Sequence, residues 1–207
     1  WKEKIRQPFK PLLSNFKHVD YGNAEAVEKA IDKTIGAVIV EPIQGEAGII
    51  IPKNGYLKQL REICDKHGIL LIVDEVQTGC GRTGKFFAYE HDQIKPDIVT
   101  LAKGLANGIP IGATIASEHI GASFEKGDHA STFGGNPVAC KAANFVVDYI
   151  IKKGFINNAY VQGNYLLNKL NSIKSKHVKE VRGKGLMIGM EMTDKDKADN
   201  TIKKCID

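Results

Sequence analysis

Cysteine is scarce and scattered: Cys64, Cys80, Cys140 and Cys205 form no C-x-x-C pair and no Cys/His cluster of zinc spacing. That spacing argues against a disulfide scaffold and against a metal site, and reduced cysteines imply a cytoplasmic setting. No apolar run approaches the roughly 20 residues that a membrane helix needs. The opening WKEKIRQPFK has nothing of a secretory signal. A basic tract is missing too: the formal charge of +5 is spread along the chain, which leaves a mild preference for anionic small molecules and no expectation of nucleic acid. Internal repeats and low-complexity segments are absent.

What remains is the composition of a globular protein, 43% hydrophobic and 26% charged over 207 residues, enough for one domain and part of another. The chain opens on Trp1 without Met and ends at KKCID inside a helical pattern, so a fragment of something longer is expected.

Alternation and helical spacing predict the elements. AEAVEKAI reads as a helix, and AVIVE, stopped by Pro42, as a short β-branched strand. GYLKQLREICDKHG puts Leu57, Leu60, Ile63 and Cys64 on one helical stripe that ends at Gly68. ILLIVD, Ile69 to Asp74, is apolar at both parities, as in a parallel sheet covered by helices on each side. DIVTLA and ATIAS continue the run of short buried strands, so the fold class is α/β. Asn136 caps and Pro137 opens a long helix to about Lys153. A second helix spans about Ala159 to Leu170, and two strand-like pieces flank Gly183 and Gly185. This change of style divides the chain into a large domain over residues 1–170 and the start of a small C-terminal domain over 171–207.

VDEVQTGCGRTGKFF, Val73 to Phe87, imitates two nucleotide loops. A phosphate loop needs Ser or Thr after its lysine to hold Mg²⁺, and Phe86 stands there. A dinucleotide turn needs its glycines directly after the strand and an acidic residue at the end of the next one; EVQT intervenes, and DIVTLAK ends in Lys103. A third reading starts from Asp74 and Lys103 at the carboxyl ends of successive strands, where α/β sheets collect ligands. Alternation sets Asp74 and Val76 on one face and Glu75 on the other, so Asp74 and Glu75 are no acid/base pair. An ionised carboxylate beside a ring nitrogen and a lysine able to attack a carbonyl are the minimum that pyridoxal phosphate requires. On spacing alone, Lys103 reads first as a solvated surface lysine.

Four collinear motifs carry further weight: EPIQGEAG, LLIVDEVQTGCGRTGKFFAYEH, KPDIVTLAKGLANGIPIGA and STFGGNP. Together they resemble the class III, or ω-type, pyridoxal-phosphate aminotransferases over about Phe9 to Met192. The resemblance implies a fold type I architecture, an α/β/α large domain with a mainly parallel sheet. It implies that Lys103 holds the pyridoxal 5'-phosphate covalently and moves the proton, that Asp74 pairs with the pyridine nitrogen, that Val76 packs on the ring, and that Gln77 reaches its phenolic oxygen. Ser131 and Thr132 would bind the phosphate of a neighbouring subunit, making a homodimer with a shared site. Glu46 matches a carboxylate that engages a substrate-facing arginine, with Glu41 in a supporting role. GYLKQLREICDKHGILLIVDE and VRGKGLMIG are most similar to members that pass the terminal amine of N-acetylornithine to 2-oxoglutarate in arginine biosynthesis. Ornithine and 4-aminobutyrate are the alternative donors.

Other readings of single residues stay open: Val76 as core, Thr132 as a turn residue before the helix, Arg82 as a surface ion-pair partner. The chain has about half the family's usual length and lacks its upstream phosphate turn, ring-stacking aromatic and carboxylate-binding arginine. The chain by itself is therefore expected to be inactive; a non-catalytic α/β fragment or interaction module is the rival reading, with a nucleotide-binding domain third.

Overall fold

The computed structural model describes residues 3–206. A single turn α1 (Glu3–Arg6) and an irregular lead precede α2 (Ala24–Ala30), whose first turn is capped by Asn23 Oδ1 accepting from Ala26 N at 2.9 Å. Then follow β1 (Ala37–Val40), α3 (Tyr56–His67), β2 (Leu70–Asp74), β3 (Ile98–Leu101), β4 (Ala113–Ala116) and the short α4 (Glu118–Gly121). The long helices α5 (Pro137–Lys152) and α6 (Phe155–Asn171), the hairpin β5 (Val178–Lys184) and β6 (Met187–Met192), and α7 (Lys195–Ile206) complete the order. Among the described residues, no helix is long and apolar enough to cross a membrane.

The main sheet has the order β1-β2-β3-β4, parallel across the first three strands and antiparallel at β4. Parallel registers of Val40 with Val73 and Asp74 with Thr100 bring the carboxyl ends of β1, β2 and β3 to one edge. Burial follows strand parity. Val40, Leu71, Val73 and Val99 are buried on one face, against Val27 of α2 and Tyr56, Leu57, Leu60 and Cys64 of α3. Ala143 of α5 joins Val99 and Leu101 farther along the same face.

Two expectations need correction. Among the described residues the sheet is not covered on both sides, because the opposite face leaves Ile39 61% exposed and Ile72 and Ile98 half-buried. Nor is Ala113–Ala116 a buried strand: it lies antiparallel at the sheet edge, with Thr114, Ile115 and Ala116 exposed. Apolar composition describes a strand's capacity for burial, whereas its neighbours decide which faces lose water. On α3 the stripe is as expected except for Ile63, which is half-buried while Tyr56 is fully buried. Gly68 ends the helix in the left-handed conformation, φ +65°, where a Cβ would be strained.

The β5–β6 hairpin meets α6 and the glycine-rich turn after β2 through bare backbone. A Cβ on Gly163 of α6 would lie 2.1 Å from Gly185 O, and one on Gly185 would lie 2.4 Å from the Thr83 carbonyl carbon. Leu186 N donates to Arg82 O at 2.9 Å across the same contact. The carbonyl oxygen of Thr83 also faces His91 Nε2 at 3.2 Å, as does its hydroxyl at 3.1 Å. Burial, reinforced by Lys184, holds the His91 imidazole below its ordinary value of 6.5.

Alanine normally favours a helix interior over glycine by about 1 kcal/mol, yet Gly163→Ala is expected to destabilise the protein by about 1–3 kcal/mol through overpacking. Gly121→Ala, with nothing within 4 Å of the new methyl, is expected to be neutral or stabilising; denaturant midpoints check both. The depressed His91 value means that the unfolded chain takes up the proton first. Stability is therefore held above pH 6.5 and lost as pH falls from there through the lower folded value. His91→Gln is expected to flatten that slope in unfolding measured between about pH 7.5 and about pH 5.

Candidate active site at the carboxyl edge of the sheet

Each of the three parallel strands delivers one polar segment to the same edge. After β1, Glu41 Oε2 accepts from Gly45 N at 3.0 Å, and the loop from Gln44 to Ile50 closes on itself by paired backbone hydrogen bonds of 3.1 and 3.0 Å. Glu46 stands exposed on this loop, its Oε1 accepting from Gln77 Nε2 at 3.1 Å. The neighbouring Gly45 allows this contact, since a Cβ there would fall 2.3 Å from Gln77 Oε1. Glu46 and Gln77, 31 positions apart in sequence, thus tie the end of β1 to the end of β2.

At the end of β2, Asp74 is half-buried and its Oδ1 takes two hydrogen bonds, from Val76 N at 3.0 Å and from Thr100 Oγ1 at 3.1 Å. Within the described residues, Oδ2 accepts none. Glu75, one position on, points the other way: it is 1% exposed and accepts from Thr78 Oγ1 and from Tyr89 N at 2.9 Å. Burial pushes its carboxyl above the usual range despite these donors. Glu75 therefore braces the turn from beneath and has no access to a ligand at the edge.

Beyond β3, Lys103 opens a 3₁₀ turn (Lys103–Ala106) whose Leu105 and Ala106 are buried anchors. Lys103 itself is exposed and holds φ +47°, in the left-handed region. Such a conformation costs a non-glycine residue of the order of 1–2 kcal/mol, and strain of this kind gathers at functional sites. No hydrogen bond or ion pair joins Lys103 to Asp74 among the described residues, so the amine and the carboxylate do not neutralise one another.

Ser131 and Thr132 stand apart. They lie in an exposed segment before α5, where Ser131 Oγ accepts from Gly134 N at 3.1 Å, and neither bonds to Asp74, Gln77 or Lys103. The glycines that imitate nucleotide loops serve packing. Gly81 and Gly84, both at φ +86°, turn the chain against Ile156 and Tyr160 of α6. Cys80 in that turn has its thiol pushed up by burial, which makes it a poor nucleophile.

Thr100 was not among the residues singled out from sequence. Its position two residues after the strand begins gave no signal, because only the β2–β3 register sets it opposite Asp74.

The arrangement suits the ring end of pyridoxal phosphate: among the described residues, a carboxylate with one oxygen braced and the other unengaged, and a strained, unpaired lysine just beyond the next strand. The family model for class III aminotransferases matches residues 1–207. The chain belongs to that family. It is 54% identical over 198 residues to the acetylornithine aminotransferase of Methanopyrus kandleri, covering 96% of this chain and 51% of that one. It is 46% identical over 192 residues to ornithine aminotransferase 2 of Staphylococcus saprophyticus, covering 92% and 48%. Among solved structures, the acetylornithine aminotransferase of Elizabethkingia anophelis superposes with a TM-score of 0.89 at 38% identity, over 96% of this chain and 51% of that one. The ornithine aminotransferase of Toxoplasma gondii gives 0.88 at 39%, over 91% and 46%. The chain spans about half the length of the curated relatives it matches. These neighbours support the fold type I architecture with its mainly parallel sheet.

Thr100→Val and Thr100→Ser separate hydroxyl from methyl. If the hydroxyl holds Asp74, Val is expected to weaken cofactor binding about tenfold, the worth of one hydrogen bond to a charged group, with Ser near the parent protein. A role confined to packing gives the reverse order, and a fluorescence titration of the cofactor-free protein with pyridoxal phosphate decides between them.

Proposed function

We propose that the whole protein is a pyridoxal 5'-phosphate-dependent transaminase that passes the terminal amine of N-acetylornithine to 2-oxoglutarate. N-acetylglutamate semialdehyde and glutamate would be the products, in arginine biosynthesis. The observation that carries this reading is the placement of Asp74 and Lys103 at the carboxyl ends of two adjacent parallel strands, with Asp74 braced and Lys103 in no hydrogen bond or ion pair among the described residues. The donor is supported by the printed names of the acetylornithine aminotransferase relatives. Ornithine is the second donor, favoured by the ornithine aminotransferases at 46% identity.

When bound, the cofactor supplies a carbonyl for amine capture and a ring that accepts electrons. In this reading Asp74 Oδ2 would accept from the ring N–H and keep that nitrogen protonated. Its Oδ1 is held by Thr100 and Val76 so that the carboxylate cannot rotate away. Lys103 Nζ would be the group that holds the cofactor covalently through its carbonyl carbon, with water leaving, and when free it would move a proton at the donor's amine-bearing carbon, so that a single group serves as nucleophile and as base. Val76 would lie against the ring face, and Gln77 would donate to the phenolic oxygen. Glu46 would orient an arginine that meets the substrate carboxylate.

Ser131 and Thr132, exposed and detached from the edge in one copy, would reach the phosphate of a second copy, which makes the catalytic unit a homodimer. Residues 1–170 would form most of the cofactor-binding domain, and residues 171–207 the beginning of a small domain.

Borohydride reduction of the whole protein loaded with pyridoxal phosphate is expected to leave the pyridoxyl mass on the peptide carrying Lys103. Lys103→Ala is expected to lose both the label and turnover, and Asp74→Asn to lower kcat by about 10²–10³-fold, as for removal of one preorganised electrostatic group. Label on another lysine, or full turnover in Lys103→Ala, would overturn the reading. Comparing kcat/KM for N-acetylornithine, ornithine and 4-aminobutyrate assigns the donor.

A further inference from the structure

The loop that carries Glu46 holds an unfavourable shape. Gly48 has φ +108° and Ile49 has φ +55°, the latter a β-branched residue in the left-handed region. Its amides are satisfied from within: Gly48 N and Ile49 N both donate to Gly45 O, at 3.0 and 3.2 Å, and Ile50 N donates to Gln44 O. The carbonyls of Gly48 and Ile49 turn outward and need a donor from elsewhere.

That donor comes from a distant part of the chain. Arg182 of β5 places Nη2 2.8 Å from Gly48 O and Nε 3.0 Å from Ile49 O, across 134 and 133 positions of sequence. Its remaining nitrogen, Nη1, is held by Glu180 Oε2 at 2.7 Å and Glu191 Oε2 at 2.6 Å. The side chain is 14% exposed, so the fork is fixed and largely shielded. Opposite Arg182 in the hairpin register is Gly189, where a Cβ would come 3.1 Å from Ile49 Cβ. The hairpin thus offers the loop both a seat and a clamp.

We infer that Arg182 is a positioning residue for the substrate side of the site, holding the Gln44–Ile50 loop so that Glu46 meets Gln77. The inference rests on the role proposed for Glu46. Beyond the Glu41 carboxylate at its start, the loop is suspended between two distant supports, Gln77 after β2 and Arg182 from β5. Without the guanidinium, Ile49 is free to leave the left-handed region, and the loop tip, two residues beyond Glu46, turns with it. Lysine cannot substitute, because one ammonium does not span two carbonyls that a planar fork reaches from two nitrogens. The device makes the β5–β6 hairpin part of the donor site, although none of its residues stands at the sheet edge.

The test uses the whole enzyme carrying Arg182→Lys, Glu46→Gln or both. Hydrogen exchange is followed at the amides of Gly48, Ile49 and Ile50 in the cofactor-free form, and donor KM and kcat in the loaded form. Arg182→Lys is expected to speed exchange at those three amides about tenfold and to raise the donor KM by a similar factor, with kcat little changed. Adding Glu46→Gln should raise KM no further, because both changes act on one interaction. Unaltered loop exchange in Arg182→Lys, or additive effects on KM, overturns the inference. A donor KM unchanged by Glu46→Gln overturns instead the role of Glu46, and is told apart because the loop exchange still responds to Arg182. Should Arg182→Lys fail to fold, Glu191→Gln carries the same test: faster exchange at the three amides supports the clamp, and parent-like exchange overturns it.

Discussion

The parallel pairing of β2 with β3 is the constraint from which the rest of the site follows. It sets Asp74 opposite Thr100 and makes both strands end at one edge. Side-chain alternation then leaves Asp74 and Thr100 on the open face and sends Glu75 into the protein. A slip of one residue would exchange those fates, burying Asp74 and presenting Glu75. Register is secured by Leu71, Val73 and Val99, which reach the aliphatic core only in the observed alignment. Asp97 adds a polar lock, accepting from Leu71 N at 2.7 Å and from Arg61 Nη1 at 2.6 Å, and so fixes α3 against the start of β3.

Around this edge the protein separates support from chemistry. Buried groups do the supporting: Glu75 and Thr78 beneath the turn, Thr83 with His91 behind it, and the bare backbones of Gly163 and Gly185 where helix, hairpin and turn converge. The groups proposed to meet ligands, Glu46, Asp74, Gln77 and Lys103, are exposed or half-buried. The two sets alternate along the chain after β2, and the supporting set makes the other one rigid. A carboxylate held by two donors, and a lysine whose backbone is kept in a strained well by the buried Leu105 and Ala106, can be presented to solvent without losing their geometry.

The glycine-rich turn shows why a motif is read through its surroundings. Its spacing suits a phosphate, but its glycines face Ile156, Ile150 and Tyr160, and its carbonyls are taken by Leu186 and His91. A loop whose close approaches are already filled by protein has no room to cradle an anion.

Sequence periodicity was sufficient for the α/β class, for most element positions, and for locating Asp74 and Lys103 at strand ends, because these depend on local alternation and on residues such as Asn136, Pro137 and Gly68 that act within one turn of themselves. The family motifs were legible for the same reason, being contiguous words. Long-range contacts were not legible. The Thr100 hydroxyl on Asp74, the Glu46 to Gln77 bond and the Arg182 clamp each join segments 26 to 134 positions apart, and no periodicity encodes which polar side chain meets which. The openness of one sheet face and the exposure of β4 were likewise invisible, since an apolar strand carries the same letters whether or not a helix lies over it. The sequence by itself determined the α/β class, where the strands lie and which face each strand residue takes. Only the tertiary structure decided which of them meet, because meeting depends on strand register and on backbone approaches that a single missing Cβ permits.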